Sequence, residues 1–213
     1  MAPLAGMART LTIIGLIFST ISVLEGSATL FLRSWLSAGP RYIPLQRFLN
    51  VGLWKVCATG ALLDRREDIT SDCGTVASSD FVFAKAASVT SVALGALSWI
   101  FIMGAFSKVP CHILAAVFSF LQCVAMLIAG ILVATVNRDH GLTFLSHTQQ
   151  PIPMSSTGDW YVLTGNAYYL AWGSSGCAMF ATVCLAASLA KARSMRLAQT
   201  HQYQMVEVVR QGE

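Results

Sequence analysis

Charge is scarce in this sequence: Asp, Glu, Lys and Arg together make up 11% of its 213 residues, where a soluble domain carries roughly a quarter. A chain so poor in charge and 55% hydrophobic has too little polar surface to face water on all sides, which excludes an ordinary soluble globule. The 14 Lys and Arg, set against 10 Asp and Glu, are scattered through loops and tail and form no basic stripe, so nucleic acid has no electrostatic footprint to meet. Phosphate-cradling glycine loops and Gly-x-Ser-x-Gly elbows are missing too. Of His112, His140, His147 and His201, only His140 and His147 share a loop, and two histidines alone make a poor zinc site. No enzyme, cofactor or metal centre is therefore expected. Asn50, Asn137 and Asn166 all lack a hydroxyl residue two positions on, so N-glycosylation is not expected either.

What the chain has in quantity is apolar sequence gathered into four runs, 11–32, 84–106, 113–136 and 166–190. Each is close to the ~20 residues that cross ~30 Å of hydrocarbon. The first run exceeds the ~7–15 residues of a signal-peptide core, so it reads as a retained helix. The reading is a single tetraspan domain, 1–213, with long loops at 33–83 and 137–165 and a tail at 191–213. The turn 107–112, with Pro110, reads as a break between two antiparallel helices.

Four spans put both chain ends on one side, and Lys191, Arg193 and Arg196 directly after the last span argue that this side is cytoplasmic, although the whole count runs the other way, six Lys and Arg inside against eight outside. Cysteine placement agrees. Cys123, Cys177 and Cys184 lie in spans and Cys111 in the short turn, while Cys57 and Cys73 share the long loop with no other thiol. Such a pair suggests a disulfide in an oxidising compartment, two free thiols being the alternative.

Within the spans, Glu25 is about two turns from the end of the first run, where a carboxylate is costly unless neutral, paired or facing protein or water. A hydrogen bond between helices, toward Lys85 at the start of the second span, is the structural reading; an ion pathway is the functional one. Gly15, Ser19, Ser22 and Gly26 in the first span, and Ala87, Ser91 and Gly95 in the second, fall at four-residue intervals. Small residues so spaced let helix backbones approach closely. Gly173-Ser174-Ser175-Gly176 thins the fourth span, which predicts close packing or a kink there.

Between the first two runs stand Trp35, then Gly52-Leu53-Trp54, then Cys57 and Cys73. Tryptophan favours the bilayer interface, so Trp35 and Trp54 suit a loop pinned to the headgroup layer, and Gly52 permits a backbone approach that a side chain blocks. The order Trp, Gly-Leu-Trp, Cys, Cys between the first two of four spans resembles the superfamily of claudins, peripheral myelin and epithelial membrane proteins, lens fibre membrane intrinsic protein and calcium-channel gamma subunits.

That resemblance implies an all-α membrane fold: a four-helix transmembrane bundle with a small extracellular antiparallel β-sheet, claudin-like, its two loop cysteines bridged between strands. It also implies that Trp35 and Gly52-Leu53-Trp54 anchor the sheet, with Lys85 as the basic residue opening the second helix. Fifteen residues separate Cys57 from Cys73, more than claudins keep, and the final Arg210-Gln211-Gly212-Glu213 lacks the apolar end of a PDZ ligand. The second loop, with Phe144-Leu145, Gly158-Asp159-Trp160 and the aromatic entry Tyr168 to Trp172, looks more like the lens, epithelial-membrane or gamma branches; an interfacial aromatic belt is the alternative.

The expectation is a multi-pass plasma-membrane protein, both termini cytoplasmic, acting at cell junctions or other membrane contacts. Its partners would be the lipid bilayer and a like or related tetraspan in cis or trans. An auxiliary subunit of an ion channel or receptor is the alternative. A paracellular pore ranks below both, because the seven basic and five acidic residues between Arg33 and Lys85 give no selectivity of one sign.

Overall fold

The computed structural model describes residues 2–40, 48–59, 73–75, 79–106, 109–139, 143–145, 151–153 and 160–211. Four long helices dominate: α1 (Ala2–Phe31), α2 (Ser79–Ala105), α3 (Val109–Asp139) and α4 (Asn166–Gln211). Each contains a stretch long and apolar enough to cross a membrane, Gly6–Phe31, Phe81–Ala105, Pro110–Thr135 and Asn166–Met195. The helices pack in a ring, α1 chiefly on α2 and α4, and α3 chiefly on α2 and α4.

All four helices begin earlier or run further than the apolar runs. Pro110 falls in the first turn of α3, where a missing N–H removes no helical hydrogen bond, so it opens a helix instead of breaking one. Cys111 and His112, expected in a turn, are consequently helical. The stretch after residue 190, expected as a tail, continues α4 as far as Gln211; it contains neither Gly nor Pro.

Many large apolar side chains face outward from the bundle, and small hydroxyl residues are buried within it. Ile13, Ile17, Ile21 and Leu24 of α1 are exposed, while Ser19, Ser22, Ser88, Ser91, Ser98, Ser119, Ser174 and Ser188 are buried. Where lipid is as apolar as leucine, association falls to close packing and hydrogen bonds, and the serines supply both. Their hydroxyls donate across helices, Ser91 to the Gln122 carbonyl, Ser98 to Ala115, Ser119 to Ala178 and Ser175 to Cys123, all at 2.9–3.1 Å. Gln122 Nε2 reaches across the ring to Ser22 Oγ at 2.8 Å, and Ser22 donates to the Ser174 carbonyl at 2.7 Å. Gly95 makes room: a Cβ there would stand 2.7 Å from Gln122 Nε2. The regularly spaced small residues of α1 and α2 thus face the bundle interior.

At the end where α1 stops and α4 starts sits a five-stranded antiparallel sheet. Its strands are β1 (Leu36–Pro40), β2 (Phe48–Val51), β3 (Lys55–Thr59), β4 (Cys73–Thr75) and β7 (Trp160–Thr164), in the order β4-β3-β2-β1-β7. A separate pair, β5 (Thr143–Leu145) and β6 (Pro151–Pro153), completes the second loop. The sheet therefore draws on both loops, β7 pairing with β1 from Leu36↔Thr164 to Pro40↔Trp160.

Candidate functional site

Two features could carry function: the sheet where it is fastened to the bundle, and the carboxylate inside the membrane-spanning layer. Trp35 fastens the first. It is fully buried, with Leu36, Val51 and Leu53, against Phe81, Ala84, Met126, Val133 and Ala171 of the helices. Its indole Nε1–H donates to the Thr29 carbonyl at 2.8 Å and its backbone N–H to Val51 at 2.8 Å. Trp35 is accordingly a peg in protein, and the expectation of a headgroup anchor is corrected for this residue: a polar N–H with a carbonyl partner lets a large ring be buried outright.

Trp54 behaves differently. It is 48% exposed, and Lys85 Nζ lies 5.5 Å from its ring centroid, within the range of a cation–π contact. Lys85 does not open α2 but lies six residues in from Ser79. Between the two tryptophans, Gly52 allows a close crossing, since a Cβ there would meet Arg33 Cα at 3.0 Å and the Leu32 carbonyl at 3.1 Å. Leu53 is buried under the same crossing.

A second joint locks the other loop. Gly165 N–H donates to the Trp35 carbonyl at 2.9 Å and Ala167 N–H to the Ser34 carbonyl at 3.0 Å. Any Cβ on Gly165 would run into the Ser34 carbonyl. The sequence pointed to the aromatics of the second loop but not to this glycine, whose only signal was its place between a β-prone run, Trp160 to Thr164, and a helix.

Cys57 and Cys73 are directly opposite each other in the β3–β4 register; their side chains lie outside the described residues, as do residues 61–68 of the extended segment between them and His140 and His147. Cys111, Cys123, Cys177 and Cys184 are free thiols. Among the described residues, no group of three His, Cys, Asp or Glu side chains could hold a metal ion.

Glu25 is turned toward α4. Its carboxylate atoms stand 3.2–3.5 Å from where a Gly173 Cβ would be, so that glycine makes the space it occupies. Glu25 Oε2 is buried and has no hydrogen-bond partner among the described residues. The expected bridge toward Lys85 is not the arrangement found, because Glu25 packs against α4 while Lys85 on α2 covers Trp54. In the thin segment of α4, Ser174 and Ser175 turn inward and are buried. Gly176 turns out, a Cβ there meeting nothing within 4 Å.

No model of a known protein family matches the chain, and no curated protein matches it.

Proposed function

We propose that this is a non-enzymatic plasma-membrane tetraspan of claudin-like design, whose sheet lies outside the cell and touches a neighbouring membrane or protein at cell contacts. The observation that carries the reading is the sheet's construction. Strands from both loops are fastened to the helix ends by buried Trp35 and by the backbone bonds of Gly165 and Ala167. A platform held this rigidly can present contact residues with little entropy to lose on binding. Lys191, Arg193 and Arg196 support an inside position for the opposite end. Residues directly opposed in antiparallel strands have Cα atoms about 4.5–5.5 Å apart, within disulfide reach, which supports a Cys57–Cys73 bridge. The test is expression in non-adherent cells: aggregation and enrichment at contacts are expected, and absence of both overturns the proposal.

One observation favours a second reading, an auxiliary subunit that binds a channel or receptor within the membrane. Glu25 is a carboxylate with an unsatisfied oxygen in a membrane-spanning helix, beside the bare backbone of Gly173 and one turn from outward-facing Gly176. Crosslinking in native membranes separates the two readings. A stoichiometric channel partner that is lost in Gly176→Leu, where the chain itself has room for the side chain, favours the second.

A further inference from the structure

At the end away from the sheet, the four helices enclose a cavity of about 370 Å3 lined by Ala8, Arg9, Thr12, His112, Ser188 and Ala192, with Ala105 and Phe106 at one side. Its wall is a buried hydroxyl network. Thr12 and Ser188 donate to the Ala8 carbonyl at 3.0 and 2.9 Å, and their oxygens stand 2.9 Å apart. Thr12 Oγ1 also stands 3.3 Å from His112 Nε2. The network thus ties α1 to α4 and holds the imidazole in the first turn of α3, whose amide end carries the positive pole of the helix dipole.

The surrounding charge is of one sign. Arg9 is exposed, and no acidic residue occurs in 1–24, 81–138 or 160–206. The space equals that of about twelve waters, larger than a bare phosphate fills and suited to a phosphorylated polyol. Phe106, in its lining, is exposed, apolar surface on which an acyl chain can lie.

We propose that this cavity binds the phosphorylated headgroup of an acidic phospholipid from the leaflet at the chain-terminal end of the bundle. Arg9 and the first turn of α3 meet the phosphate, and the hydroxyl network keeps His112 in place at its side. The binding is independent of what the sheet contacts.

The test is native mass spectrometry of the delipidated full-length chain in mild detergent, titrated with dioleoyl phosphatidylinositol 4-phosphate or dioleoyl phosphatidylcholine. The acidic lipid should be retained about tenfold better, and Arg9→Gln should lower that retention about fivefold, as loss of one cation close to a charged headgroup does. Ala192→Leu, which fills the cavity and keeps every charge, should lower it comparably. Arg193→Gln, outside the cavity lining, should change it less than about twofold. Equal retention of both lipids overturns the proposal, and so does an Arg193→Gln loss equal to that of Arg9→Gln, the mark of a diffuse basic surface. Displacement of the lipid by equimolar inositol 1,4-bisphosphate or inorganic phosphate also overturns it, assigning the cavity to a soluble phosphate.

Discussion

Glu25 is the residue whose chemistry fits its surroundings least. A carboxylate oxygen that is buried and unbonded costs roughly 1–3 kcal/mol, so its removal should not weaken the isolated chain. Glu25→Gln and Glu25→Leu are both expected to keep or raise the thermal midpoint in detergent; a fall in both would show that the carboxylate has a partner the chain needs. Gly95 is the opposite case. An added methyl would stand 2.7 Å from Gln122 Nε2 and 2.8 Å from Val23 Cγ2, so Gly95→Ala must displace the amide that bonds Ser22 across the ring. A loss of about 1–3 kcal/mol is expected, read as a lower midpoint in the same assay. The sequence revealed that Gly95 belongs to a small-residue stripe; what it could not reveal is that Gln122 fills the space, because that pairing joins α2 to α3 through the centre of the bundle.

At the scale of elements, the spans were legible because nothing but a membrane explains four apolar runs of such length. Their ends were not. Pro110 is compatible with either a break or a first turn, and only the position of the preceding residues decides. The fifth strand was hidden for a similar reason: Trp160 to Thr164 suits a strand and an interfacial belt equally, and pairing with β1 lies 120 residues away in sequence. Two predictions belong here. Gly165→Ala should disrupt the joint between β7, α4 and the Ser34 carbonyl, reducing surface delivery strongly while an exposed control, Gly176→Ala, leaves it unchanged; flow cytometry of tagged chains compares the two. Cys57→Ser should also reduce delivery, because a bridge closing such a loop is worth about 3 kcal/mol and its loss leaves Cys73 unpaired in an oxidising lumen. Non-reducing thiol labelling checks the premise, and free reactivity of both cysteines in surface protein would refute it.

At the scale of the molecule, the proposed orientation rests on charge next to the last span and is open to a clean test. The sequence has no Asn-x-Ser/Thr acceptor of its own, so one introduced within residues 61–68 reports without background; modification there and none at an acceptor added after Gln211 is the expected pattern. The interleaving of the sheet also has a consequence in time. β1 is complete at Pro40, yet its outer edge waits for β7, which ends at Thr164. At about 5–20 residues per second of synthesis, that edge stays open for on the order of ten seconds, while the second and third helices enter the membrane. An open edge is a template for any passing strand, so a chain truncated before β7 should keep that edge unpaired and be more prone to aggregate than the full chain.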